Sequence, residues 1–332
     1  MSTSGPRNDR ARELVSRMTL AEKASLFAGL DFWHLRGVER LGIPEGTRCT
    51  DCGHGVTPLT EHPVNGTCFP TGAGQGATWN VALLEELGEV LGQETQALGS
   101  QILLGPKVAL HRLPVGGRNF ETFSEDPVLS GKLGAAVIRG IQSQGAGACV
   151  KALTANNQQK NQSAVSVELD ERALREIYCP AFRICVEEAD PWAIMTSYNR
   201  VRGEYTSANA HLIRDIIKRD WKYPGVVLSD WRGVHGTESI AAGLDLEMPG
   251  PGKFLRCEDM LAALERGELT EEDLDDRAAR MVRLILNCAS GQLDNPRGPD
   301  DPHHRALARR VAEESMVLLK NDAGALPLQP DR

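Results

Sequence analysis

The sequence predicts an α/β fold of the (β/α)8 barrel type, and three observations lead there. Up to Pro249, short apolar runs alternate with amphipathic helical stretches, the pattern of parallel βα units. Four of those runs end in a polar side chain: Lys151 after "ACV", Tyr198 after "AIMTS", Asp230 after "VVLS" and Glu247 after "LDL". Barrels of parallel strands assemble their sites from such strand ends. The length, 332 residues, suits one large α/β barrel or two smaller domains.

Each element has a local reason. In "RMTLAEKASLF", Thr19 and Glu22 stand three apart and form a capping box that opens a helix. "NVALLEELGEVLGQETQALG" reads as a long helix and "QILLGP" as the strand after it. The helix "GKLGAAVIRGIQSQ" leads to the strand "GACVKAL". Asp170 caps "ERALREIYCPAFRICVEEAD", whose apolar residues recur every three or four positions, and this helix delivers the strand "AIMTSYN". The helix "AHLIRDIIKRDW", the strand "GVVLSDW", a short helix near "ESIAAG" and a last strand "LDLEMPG" follow.

Past Pro249 the alternation stops. "EDMLAALERGELTEEDLDDRAARMVRLILNCAS" reads as two more helices, and the polar "GQLDNPRGPDDPHH" as a linker. "RALARRVAEESMVLLKNDAGALPL" is a helix running into an apolar, strand-like piece. The expected division is therefore a barrel domain over 1–290, and over 291–332 a linker, a helix and the start of a truncated second domain. An apolar "SMVLLKN" edge left open would favour self-association, a route to a homo-oligomer.

Composition narrows the function classes. The chain is 41% hydrophobic and 25% charged with a formal net charge of -8. No basic block or stripe is present, so neither nucleic acid nor an anionic membrane is expected as a partner. The N-terminus "MSTSGPRNDRARELVSRM" lacks the apolar core of a signal peptide, and no run of 18 or more apolar residues occurs, so a cytoplasmic location is expected. Eight cysteines at 49, 52, 68, 149, 179, 185, 257 and 288 then read as free thiols. "CTDCGH" has metal-ligand spacing, but no second pair supplies a matching set, so no metal and no cofactor is expected.

The stretch "GVVLSDWRG" carries the sharpest chemical signal. A buried apolar strand ends in a carboxylate, Asp230, followed by an aromatic face, Trp231. Asp230 has two readings, a turn or cap aspartate and a catalytic carboxylate at the mouth of a barrel. Cleavage of a glycosidic bond needs one carboxyl as nucleophile or base, a second group as acid, and polar partners for the sugar hydroxyls. Asp51, Arg118, Lys151 and Tyr198 can supply those partners from other loops, and a pyranose can stack on Trp231. For Arg118 the competing reading is an ion pair with Glu121, Glu125 or Asp126.

Taken together, "LLGPKVALHRLPVGGRNFETFSEDP", "SYNRVRGEYTSANAHLIRDIIKRDW" and "GVVLSDWRGVHGTESIAAGLDLEMPGP" resemble glycoside hydrolase family 3, above all its β-glucosidases. The resemblance runs from "MTLAEKASLFAG" to "ESMVLLKNDAGALPL" and implies a (β/α)8-like catalytic domain, a retaining mechanism and a glucose subsite. It implies Asp230 as the nucleophile. It also implies that Asp51, Arg118, Lys151 and Tyr198 hold the nonreducing sugar and that Trp231 lines the subsite.

The departures from the family pattern carry equal weight. "TDCGHG" stands where the family reads TDGPHG, and Ala109 stands where asparagine is common. Ala152 replaces a sugar-binding histidine, Gln159 a glutamate and Gln162 an arginine. Each lost charged anchor is worth about 1.5–3 kcal/mol when buried. The family's acid/base glutamate comes from the domain that follows "LLKNDAGALPL", and this sequence stops at Arg332. Glu247 and Glu125 are the resident carboxylates weighed for that role, against ordinary pairing with neighbouring bases. Two functions stay open: a β-glucosidase-type hydrolase acting on a small-molecule glycoside, impaired by the missing acid, and a repurposed barrel that binds or transforms a secondary metabolite without hydrolysis.

Overall fold

A computed structural model of the chain describes residues 6–57 and 65–328. In chain order the strands are β1 (Cys49–Asp51), β2 (Ile102–Leu104), β3 (Gly147–Leu153), β4 (Ser166–Val167), β5 (Ala193–Thr196), β6 (Arg200–Val201), β7 (Glu204–Tyr205) and β8 (Val226–Leu228). The central sheet is parallel throughout, in the order β1-β2-β3-β5-β8. Its strands are apolar and buried at nearly every position, as expected where both faces of a parallel sheet are covered. The short strands β4, β6 and β7 pair separately beside the carboxyl ends of β3 and β5.

Past β8 the backbone bonding continues through single contacts. The N–H of Ser229 donates to the carbonyl of Leu246, Glu247 to Phe27, Gly29 to Glu247, and Cys49 back to Trp33. The curved sheet thereby turns back toward β1, which makes the architecture TIM-barrel-like. The expected strand "LDLEMPG" is reduced to isolated bridges at Leu246 and Glu247. Pro249 and Pro251 follow at once, and neither has an N–H to extend a ladder.

The outer helices are α1 (Pro6–Ser16), α2 (Leu20–Ser25), α3 (Gly72–Ala77), α4 (Val81–Ala97), α5 (Pro127–Ser143), α6 (Glu171–Ala173), α7 (Pro180–Ala189), α8 (Glu238–Ala242), α9 (Cys257–Glu265), α10 (Glu271–Ser290) and α11 (Pro302–Glu314). Thr19 and Glu22 form the expected reciprocal cap of α2. Helices α4 and α5, capped by Asn80 and Asp126, cross at two glycines. A Cβ on Gly88 would sit 2.4 Å from the Val137 carbonyl and one on Gly140 2.1 Å from that of Glu85, so only glycine allows this approach. The helix expected from Glu171 to Asp190 divides into α6, a π turn over Leu174–Tyr178 and α7. Pro180 explains the break, since it cannot donate to the preceding turn.

The boundary of the expected linker needs correction. It ends at Asp301, which caps α11, and Pro302, His303 and His304 belong to that helix. His304, Leu307 and Val311 are buried on α11, and the His304 imidazole bonds the Glu94 carboxylate of α4 at 2.9 Å, both side chains fully buried. The "SMVLLKN" segment is not a strand. It runs without secondary structure, and Met316, Val317, Leu318 and Leu319 are 63–90% exposed. No helix among the described residues is long and apolar enough to cross a membrane.

Candidate active site

The carboxyl ends of β1, β3, β5 and β8 bring the sequence-predicted residues together. Asp51 ends β1, and Lys151 lies within β3 with its side chain buried to 3% exposure. The two meet in an ion pair at 2.5 Å, with Asp51 open to the mouth at 48% side-chain exposure. Burial pulls the Asp51 carboxyl upward, yet the charge and hydrogen bond of Lys151 outweigh it and leave Asp51 below its ordinary value. For Lys151 burial works against the ammonium, while Asp51 and Glu121 outweigh it and raise its pKa.

Asp230 follows β8 and is 8% exposed. The backbone N–H of Trp231 donates to its Oδ1 at 2.7 Å, and the Tyr198 hydroxyl donates to its carboxylate. Burial raises the Asp230 carboxyl, partly offset by Lys151, Tyr198, the Trp231 N–H and Arg118. Burial, together with the Asp230 charge, raises the Tyr198 phenol, so its proton stays in place as a donor. Such a carboxylate is desolvated, held at two points and flanked by cations, which suits an oxygen nucleophile.

Of the two readings of Arg118, the ion pair is visible in the structure. Its Nε and Nη2 clamp the Glu121 carboxylate, both at 2.8 Å, so the expected ion pair exists. The same guanidinium is close enough to Asp230 and Asp51 to interact with both charges. Trp231 is half-buried, donates its indole N–H to the Phe32 carbonyl at 2.9 Å and packs against Trp33 with ring centroids 5.4 Å apart. Phe32, Arg232, His235 and Met248 line a cavity of about 500 Å³ beside it.

Neither resident carboxylate weighed as an acid is built for that role. Glu247 accepts the backbone N–H groups of Lys253, Phe254 and Leu255 at 2.8–2.9 Å, which pins the loop after Pro251. Glu125 is exposed on the loop that leads into α5. The substituted positions contribute no charge. Ala152 is buried, and the side-chain oxygens of Gln159 and Gln162 are buried acceptors without a protein donor. In "CTDCGH", Cys49 is in the core and the His54 Nδ1 faces the Cys68 sulfur at 3.4 Å; no cluster able to hold a metal occurs among the described residues.

One group escaped the sequence reading. Lys107, three residues past β2, is buried, pairs with Glu121 at 4.0 Å and bridges Lys151 through the backbone. The only sequence signal was a lysine inside an apolar run, "LLGPKVAL".

The fold has counterparts among known proteins. Residues 36–284 match the glycosyl hydrolase family 3 N-terminal domain. The chain is 44% identical over 327 residues to thermostable beta-glucosidase B of Acetivibrio thermocellus, covering 96% of this chain and 43% of that protein. With beta-glucosidase B of Emericella nidulans it shares 40% identity over 96% of this chain and 38% of the relative. The structure of the Kluyveromyces marxianus beta-glucosidase in complex with glucose superposes with a TM-score of 0.89 at 37% identity, over 96% of this chain and 40% of that one. The chain thus spans less than half the length of these relatives. The matched model, the relatives and the shared barrel-like fold agree, and the chain belongs to glycosyl hydrolase family 3.

Proposed function

We propose that the chain is the nucleophile-bearing domain of a retaining β-glucosidase-type glycosidase. The observation that carries the reading is Asp230, a buried carboxylate at the mouth, hydrogen-bonded by Tyr198 and Trp231 and set among Lys151, Asp51 and Arg118. Asp51, Lys151 and Arg118 bind the hydroxyls of the nonreducing sugar, and Trp231 supplies the apolar face. An Asp230 oxygen attacks the anomeric carbon, the bond to the leaving oxygen breaks with its electron pair, and a glycosyl ester forms. Water then cleaves that ester. The names of the relatives, all beta-glucosidases, support a β-glucoside as the substrate class. The free state of all eight cysteines supports a reducing, cytoplasmic setting. Residues 291–332 are read as the passage to a following domain, with the exposed Met316–Leu319 segment as its contact surface or as a contact between copies.

The direct test uses a 2-deoxy-2-fluoro glucoside with a dinitrophenolate leaving group. That group departs without a proton donor, so the first step probes Asp230 alone. Intact-mass spectrometry is expected to show one added glycosyl unit, mapped to Asp230. An unlabelled protein under forcing concentrations would remove the proposal.

A second reading, a barrel that binds a small metabolite without hydrolysis, is favoured by the neutral side chains at Ala152, Gln159 and Gln162. Thermal-shift screening separates the two. Stabilisation by glucose or gluconolactone supports the glycosidase, and stabilisation by apolar metabolites alone supports the repurposed barrel.

A further inference from the structure

Three carboxylates, Asp51, Glu121 and Asp230, gather at the mouth. The sequence-predicted residues supply two cations against them, Lys151 and Arg118. Lys107 is the third. Its side chain is 1% exposed and its Nζ lies 4.0 Å from the Glu121 Oε2, an oxygen that the Arg118 Nη2 also bonds at 2.8 Å while its Nε bonds the other. The space beside Lys107 is a cavity of about 20 Å³, lined in part by Cys52, His54, Pro106 and Glu121. That volume holds roughly one water molecule and no sugar. Enclosed at 1% exposure, Lys107 acts on the site through its charge, with Glu121 as its ion-pair partner.

We propose that Lys107 is a positioning residue of this site: its buried ammonium balances Glu121, so that Arg118 and Lys151 stay directed at the sugar subsite and at Asp230. The inference rests on the glycosidase reading above. With Lys107 charged, three cations face three anions. With Lys107 neutral, Glu121 draws on Arg118 and Lys151 alone, in competition with Asp51 and Asp230.

The groups facing Lys107 set its titration. Burial lowers it most, Arg118 and Lys151 lower it further, and Glu121 and Asp230 raise it, which leaves it at about 7. Cys52 and His54 share its cavity. The Cys52 thiol is pushed by burial to about 12 and stays uncharged across the working range. Because the folded value lies below that of an exposed lysine, the unfolded chain binds the extra proton as pH falls. The cost to the fold thus builds as pH falls from the ordinary lysine range toward about 7 and is constant below it, and removing the amine spares stability while harming the site.

The test is the pH dependence of the labelling rate with the same fluoro glucoside, read by intact mass between pH 5 and 9. In the parent protein the rate is expected to fall about tenfold as pH rises through about 7. Lys107→Met is expected to lose that alkaline limb, to label about tenfold more slowly than the parent plateau, and to melt at the same or a higher temperature. A second measurement needs no variant: on warming, the limb moves to lower pH as an ammonium does, whereas a carboxylic acid limb stays in place. A Lys107→Met protein with the parent profile, or a limb insensitive to temperature, overturns the inference. Absence of any label on the parent protein instead defeats the glycosidase reading, so the two failures are distinct.

Discussion

Two buried aspartates near the same strand have opposite fates. Asp245 is fully buried, accepts the Val227 N–H at 2.8 Å and pairs with Lys218 at 2.5 Å, and the Lys218 ammonium also donates to the Gly243 carbonyl. The carboxylate and the ammonium bond each other directly, with the Arg277 and Arg280 charges also close to Asp245. Asp230 lies past the carboxyl end of that strand, where its charge is shared with Lys151, Arg118, Lys107 and Tyr198. The first arrangement is complete within the fold and serves packing. The second spreads three negative and three positive charges over four loops and strand ends, and burial raises its central carboxyl. Breaking a closed pair strands a buried charge, whereas a cluster held at the mouth trades stability for reactivity.

Replacing each aspartate in turn would break the comparison most directly. Asp230→Asn is expected to lower turnover of a dinitrophenyl glucoside by about 10³-fold or more, while leaving the melting temperature unchanged or higher. The sign follows from linkage. A carboxyl raised in the fold binds its proton more tightly there than in the unfolded chain, so its ionised form costs stability at neutral pH, and a neutral amide relieves that cost. Asp245→Ala should do the reverse. It leaves the Lys218 ammonium buried without its partner and is expected to cost about 3–5 kcal/mol, read by denaturant unfolding. Equal loss of stability in both variants would mean that the two sites do not differ in kind.

Much of this contrast was legible in the sequence. The main strands, the long helices and the caps at Thr19 and Asp170 follow from period and end chemistry, and Lys151 and Asp230 stand out because a charge interrupts an apolar strand. Asp51 and Arg118 were separable from ordinary surface charges only through the resemblance of their motifs, since a carboxylate in a loop has no local mark of burial. Lys107 was missed because its burial comes from Glu121 and β3, neither of them its sequence neighbour. The closing strand near Leu246 was overestimated because ladder length depends on neighbouring strands as well as on apolar content. By contrast, the start of α11 was available in "DDPHH": aspartate at the cap and proline in the first turn form a helix-start signal.

The His304–Glu94 pair extends the comparison to a third buried carboxyl, this one between helices. Glu94 also accepts the Thr67 backbone N–H and hydroxyl, so it keeps donors when the imidazole is removed. His304→Ala is therefore expected to cost about 1–3 kcal/mol, less than Asp245→Ala, and to release α11 to protease before the barrel unfolds. Cleavage near Asp301 followed by mass spectrometry reads this outcome. A barrel that melts together with α11 would place that helix inside the same cooperative unit.

The finest discrimination concerns the hydroxyl of Tyr198. It donates to Asp230 and lowers that carboxyl against the rise caused by burial. Tyr198→Phe removes the donor and keeps the ring, so the Asp230 pKa should rise further and the acidic limb of the labelling rate should move to higher pH. On the acidic limb the variant is then expected to label more slowly than the parent, with the two rates converging as both carboxylates ionise above the shifted limb. Convergence is the diagnostic feature, because a hydroxyl whose main task is to bind the sugar would lower the rate at every pH. The Asp245 pair does not touch Asp230, and the same limb should be unmoved in any variant of Lys218 that still folds.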